Sequence, residues 1–133
     1  MDPIAGFPDV PVNRELGLRL VEHTPSTCRV AMAAQERHVQ GEGLIQGGVL
    51  SALADTAAVY LLLPTLAEGE TCTSIEFKLN FLAPARVGAG ELVAAGRLVK
   101  RGRRLAVCAV DVEQAGRPVA TGLFTYLFLK RGS

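Results

Sequence analysis

One carboxylate stands alone in a long apolar stretch of this chain. Between Val49 and Leu63 the only charged residue is Asp55, and no Lys or Arg lies three or four positions to either side of it. A buried carboxylate is costly unless it is paired, hydrogen-bonded or protonated. Such groups cluster at active sites, where they serve as general base or nucleophile. The plainer reading is an Asp that faces a solvent gap or takes N–H bonds from a loop. Eight residues earlier, Gly47-Gly48 opens the same stretch. A helix starting there presents unpaired N–H groups and a positive dipole end, and without a Cβ a ligand oxygen can come close. That arrangement suits a polarised carbonyl or an oxyanion; the alternative is the simple geometry of a helix start.

Other chemistry-bearing residues carry weaker signals. Gln40, Gln46 and His38 sit in the polar segment 35–46, QERHVQGEGLIQ. Each could be a surface residue, and for His38 alone that is the favoured reading. Cys28, Cys72 and Cys108 are odd in number, widely spaced and without a C-x-x-C pair. They read as reduced, mostly buried thiols, not as a disulfide framework or a zinc site. No base neighbours them or the serines in sequence, so a Cys/His or Ser/His/Asp triad has no support. Lys100-Arg101-Gly102-Arg103-Arg104 places four cations in five positions. It is either a solvated turn that protects sheet edges or a patch for phosphate.

These residues need elements to hold them. Residues 1–13 contain three prolines and form a leader or a short capping helix. Leu16–Glu22 and Thr27–Ala33 read as short strands about the turn Thr24-Pro25-Ser26. From Gly48 to Leu66 the Ala- and Leu-rich composition predicts a helix. A helix apolar nearly all round must be wrapped. The rest of the chain supplies the wrapper. Ser74–Ala83 alternates, with Ile75, Phe77, Leu79 and Phe81 on one face and Glu76, Lys78 and Asn80 on the other. Glu91–Lys100 and Leu105–Glu113 flank the basic turn. Val119–Lys130 is apolar on both faces, as a central strand covered on two sides would be. The result is an α+β fold, an antiparallel sheet of five or six strands around one long central helix.

The length suits a single domain over residues 1–133, with no internal repeat or linker. A formal net charge of +1 and the lack of interleaved basic and aromatic residues argue against a nucleic-acid partner. The first basic residue is Arg14, which does not fit a secretory signal. The apolar run Val49–Leu63 is short for a membrane span. The expectation is a soluble, cytoplasmic protein.

The segment Gly43-Leu44-Ile45-Gln46-Gly47-Gly48-Val49-Leu50-Ser51-Ala52-Leu53-Ala54-Asp55 resembles the G-x-x-H-G-G-x-x-x-x-L-x-D signature of PaaI-type hot-dog thioesterases. Ser74 to Ala85, with Pro84, resembles the next strand of that family. Val87-Gly88, Gly102-Arg103-Arg104 and Gly116-Arg117-Pro118-Val119-Ala120 resemble its later strand and turn motifs. The resemblance covers roughly residues 15 to 130.

It implies hydrolysis of a small or medium acyl-CoA to free acid and CoA, with Asp55 as the catalytic carboxylate. Gly47 takes the place of the N–H that polarises the thioester carbonyl, beside Gly48 at the substrate. Gln40, fifteen residues before Asp55, takes an Asn or Gln position that holds substrate or water. Thr73 and Ser74 fall where some relatives place a hydroxyl near the water, and Arg101, Arg103 and Arg104 where relatives meet CoA phosphates. One position departs, because Gln46 replaces the usual His. Gln can donate a hydrogen bond but cannot shuttle a proton near neutral pH, which limits it to positioning.

No cofactor beyond the substrate's CoA and no metal is implied. The alternatives are a non-catalytic acyl-CoA binder and, further off, an enoyl-CoA hydratase. Helical rise of about 1.5 Å per residue separates Gly47 from Asp55 by roughly 12 Å. The expectation is a site shared between two antiparallel helices of a homodimer, assembled further as a dimer of dimers, a homotetramer.

Overall fold

A computed structural model describes residues 2–132. Met1 and Ser133, the ends of the predicted leader and domain, lie outside the described residues. The leader forms a short 3-10 turn, Phe7–Asp9, and a helical segment α1, Pro11–Leu16. Pro11 begins α1 where a missing N–H costs nothing, and Gly17, at φ 75°, ends it. Strand β1 (Leu18–His23) therefore starts two residues later than the apolar pattern predicts. It is followed by β2 (Thr27–Met32) and a 3-10 turn at Glu36–His38. The central helix α2 (Gly47–Leu62) continues as a 3-10 turn, Leu63–Thr65, which accommodates Pro64. Then come β3 (Glu70–Phe81), β4 (Leu92–Arg101), β5 (Leu105–Gln114) and β6 (Arg117–Lys130).

All six strands pair antiparallel in one sheet, in the order β1-β2-β4-β5-β6-β3. Helix α2 lies on one face of it. Leu53, Ala54, Ala57, Ala58 and Leu61 pack against Val30, Leu92, Cys108, Val110 and Phe124, all buried. Gly96 on β4 marks the closest seat. A Cβ there would stand 3.1 Å from the carbonyl oxygen of Ala57 and 3.3 Å from Leu61.

The sheet alone does not finish the wrapping that so apolar a helix requires. Val49, Ala52, Val59 and Leu63 remain half-buried on the open side of α2. On edge strand β3 the alternation predicted from sequence holds for Phe77, Leu79 and Phe81, whose register partners Phe124, Gly122 and Ala120 lie in β6. Ile75 does not share it. A bulge between Ser74 and Glu76 leaves Ile75 as the extra residue, which uncouples it from the strand's period. Phe77 stacks on Phe124 with ring centroids 5.1 Å apart, yet is 48% exposed, and Phe81 is 54% exposed. Helix α2 does not cover them, although the Phe81 ring comes close to Gly47 at its start. β6 is central, and within one chain only its inner face is covered. The sheet is one layer with a helix on one side, so Leu123 and Leu129 of the outer face stay exposed.

By length and composition the 19-residue segment Gly47–Thr65, of mean hydropathy 1.4, could cross a membrane. It is longer than the apolar run counted in the sequence because Gly47 and Gly48 precede that run in α2 and the 3-10 turn adds Pro64 and Thr65. Here it is the helix around which the sheet curls.

Candidate active site

Asp55 sits in the third turn of α2, half-buried and directed toward β6. The partner that so isolated a carboxylate demands is Tyr126. Its hydroxyl donates to Asp55 Oδ1 and also lies 3.2 Å from the Asp55 carbonyl oxygen. Tyr126 is 2% exposed. Burial, then the adjacent Asp55 charge, pushes its phenol far above the usual tyrosine range, so the hydroxyl keeps its proton and acts as donor. Sequence reasoning missed Tyr126. The available signal was that a Tyr in an apolar strand needs a polar partner for its hydroxyl, as Asp55 did for its carboxylate.

The polar loop before α2 is tightly built. Gln40 N–H donates to Leu44 O at 2.8 Å, and Gln40 O accepts from Gly43 N at 3.0 Å. Gln40 Oε1 accepts from Glu42 N at 2.5 Å and Leu44 N at 3.4 Å. The turn thereby fixes the amide, while its Nε2 donors take no part in it. Gln46 caps α2 through its backbone, accepting from Val49 and Leu50 N–H, but its side chain is exposed and makes no capping bond. The N–H groups of Gly47 and Gly48 lie in the first turn, where no intrahelical acceptor exists. Gln40, Gly47, Phe81 and Pro84 line a cleft of about 540 Å³, with Leu44 and Leu82. A Cβ on Gly47 would stand 3.1 Å from the Phe81 ring. A side chain here would need the half-exposed Phe81 ring to move by a few tenths of an ångström.

Asp55 does not line this cleft. One chain brings Gln40 and Gly47 together, and separately brings Asp55 and Tyr126 together. Ser74 is in register with Tyr126 and so shares its side of the sheet, whereas Thr73 pairs with Leu127 on the opposite side. The hydroxyl expected near the water is therefore that of Ser74. The basic turn lies at the far end of α2 from Gly47. There Arg101 donates to Thr65 Oγ1 at 2.6 Å and covers the Phe128 ring at 4.6 Å, while Arg103 and Arg104 are exposed.

All three cysteines are free. Burial pushes Cys28 up to about 12 and Cys108 up to about 11, and raises Cys72 as well, which leaves them as thiols and poor nucleophiles. Among the described residues, no three His, Cys, Asp or Glu side chains gather as metal ligands would.

His38 is not the surface residue favoured from sequence. It is 2% exposed, its Nδ1 accepts from Gln35 N–H at 3.1 Å, and its Nε2 lies 3.1 Å from Leu16 O. With Nδ1 an acceptor, Nε2 carries the proton, so the neutral ring pins the loop to α1. Burial, the largest influence, lowers its pKa from 6.5. The unfolded chain then takes up this proton at higher pH than the folded one. Stability from His38 is complete above pH 6.5 and declines as pH falls through that value. Thermal melts from pH 7.5 to 5 should show a larger loss in wild type than in His38→Gln, which keeps a donor and an acceptor but cannot charge.

Residues 42–121 match the sequence profile of the thioesterase superfamily. A Pseudomonas aeruginosa protein that carries a provisional esterase name is 30% identical over 92 residues, 69% of this chain and 68% of its own. Among solved structures, a thioesterase family protein from Silicibacter pomeroyi superposes with a TM-score of 0.85 at 28% identity, covering 95% of this chain and 94% of its own. A mutant form of the phenylacetic acid degradation protein PaaI of Thermus thermophilus gives a TM-score of 0.78 at 28% identity, over 89% of this chain and 98% of its own. The hot-dog architecture is common to them and to this chain.

Proposed function

The chain belongs to the thioesterase superfamily and is a thioester hydrolase, and we propose that its substrate is a small or medium acyl-CoA. The observation that carries the reading is the division of groups on α2. An N-terminal cleft with Gly47 and Gln40 can hold a carbonyl, and a separate, half-buried carboxylate, Asp55, can supply the attack. The Gly47 N–H, with Gly48 beside it, stabilises the developing oxyanion. Asp55 takes a proton from water as the water oxygen bonds to the carbonyl carbon. The C–S bond then breaks and the CoA thiolate takes that proton back. Direct attack by Asp55 through a short-lived anhydride is the other route. Hydrolysis in ¹⁸O-water under single-turnover conditions distinguishes them, because only the anhydride route labels the Asp55 carboxylate. Gln40 and Gln46 position, and Ser74, nearer than Thr73, holds the water. No cofactor or metal enters this chemistry.

One chain separates its two halves by roughly 12 Å along the helix, whereas reacting atoms must come to ~3 Å. The proposed site is therefore shared across a homodimer with antiparallel α2 helices. Exposed Phe77 and Phe81 on edge strand β3, and the half-buried side of α2, supply apolar surface for that contact. Leu105, Leu123 and Leu129 on the outer sheet face would support a dimer of dimers. Three free thiols suit the cytoplasm.

Thr65, bonded to Arg101, lies ten residues beyond Asp55, about 15 Å along α2 and the 3-10 turn that continues it. The basic turn can therefore meet the phosphates at the far end of a pantetheine arm. The test is thiol release over an acyl-CoA panel, run beside short thioesters that lack the nucleotide. Arg101 is occupied with Thr65 and Phe128, so the informative variant is Arg103→Gln with Arg104→Gln. KM for acyl-CoA should rise about fivefold, at ~0.2–1 kcal/mol per exposed contact. The effect should shrink with salt, and nucleotide-free thioesters should be unaffected. Equal loss on both substrate types would make the turn an edge-protection device. Tight CoA binding without hydrolysis of any thioester would favour the non-catalytic binder, in which Gln46 in place of His leaves a pocket without turnover.

A further inference from the structure

We propose that Tyr126 is the positioning residue of the reacting carboxylate, tying down Asp55 Oδ1 so that Oδ2 alone is presented to the substrate. The inference rests on Asp55 being the reacting group. Two covalently distant elements meet here, since the hydroxyl on β6 reaches both the carboxylate and the carbonyl of one residue of α2. An ionised carboxylate only accepts, so the phenol is the donor, and it holds its proton throughout the reaction. Without it the Asp55 side chain would be free to rotate about a broad, two-fold χ2 torsion.

Among the described residues, no other side chain is hydrogen-bonded to the Asp55 carboxylate. Helix α2 carries no other charge, and its remaining titratable residue, Tyr60, packs against Phe7 and takes a hydrogen bond from Asn13. From the sheet, the titratable groups near the pair are Cys72 on β3 and Cys108 on β5, both neutral thiols, and Arg101 acts on Cys72. Cys108 is directed at the Ala58 carbonyl instead. Among the described residues, Tyr126 is thus the only side-chain donor bonded to Asp55.

Tyr126→Phe removes one oxygen and keeps the ring that fills the core. It should lower kcat about ten- to hundredfold, the range for a hydrogen bond to a charged group, with KM for acyl-CoA unchanged. Placed on Asp55→Asn, the same change should leave the residual rate alone, because the two residues act as one unit. If Tyr126→Phe fails to fold, 4-aminophenylalanine at position 126 keeps an N–H donor in place and should hold kcat within a few-fold of wild type. A folded Tyr126→Phe with at least half the wild-type kcat overturns the proposal. So does an equal further loss on the Asp55→Asn background, which would mark a structural role only. Those results differ from failure of the underlying assignment, in which Asp55→Asn itself would keep the wild-type rate and both readings would fall together.

Discussion

Asp55→Asn is expected to lower kcat by ~10²–10⁴, the usual contribution of a general base, while KM for acyl-CoA moves much less. The substitution keeps the size of the side chain and still accepts from Tyr126 through its amide oxygen. It removes the basicity and nothing that holds α2 on the sheet, where Leu53, Ala54, Ala57 and Ala58 do the packing. Thermal stability should therefore be retained, which separates lost chemistry from lost fold. Steady-state thiol release and a melting curve on the same preparation give both readings. A variant that keeps a third of wild-type kcat would remove Asp55 from the mechanism.

The second large effect is a recovery. Gln40→Ala loosens the loop turn at the cleft and, where inactive alone, serves as the complement of Asp55→Asn. Unfolding and co-refolding the two gives mixed dimers in which one site holds both lesions and the other holds neither. Activity should return from near zero toward half the wild-type value per mixed dimer. The expectation arises from the absence of Asp55 from the cleft lined by Gln40 and Gly47. Mixed dimers that form and stay inactive would show that each chain builds its own site.

The helix was legible in the sequence because fifteen positions with one charge leave a segment little choice but a core. The strands were legible from their alternation. What escaped was set by long-range geometry. Tyr126 and Asp55 are 71 residues apart, and no periodicity links them. The bulge at Ser74/Glu76 is invisible in an alternating pattern, so Ile75 was placed with Phe77. Apolar alternation also told that Phe77 and Phe81 need cover without telling whether this chain supplies it. Arg101 and Arg103 look equivalent in a basic turn, and only Thr65 and Phe128 distinguish them. His38 looked exposed because its loop is polar; it is buried between Gln35 of the same loop and Leu16 of α1, which meet its two ring nitrogens. Within the candidate site, the spacing of Gly47 and Asp55 already placed them roughly 12 Å apart on one helix, and the cleft that Gly47 and Gln40 line does leave Asp55 out.

The narrow seat of α2 on Gly96 divides the molecule into parts that can and cannot diversify. With 3.1 Å between a hypothetical Cβ and the Ala57 carbonyl, one methyl would press helix and sheet apart by a few tenths of an ångström. Because Asp55 rides on that helix and Tyr126 on the sheet, such a shift would be felt first in their hydrogen bond. Substrate range therefore has little room to drift through the inner face. Leu82, more than half exposed at the cleft mouth, carries no such constraint. Descendants of this chain would acquire new acyl preferences there, at the rim, while the buried hinge between helix and sheet stays as it is.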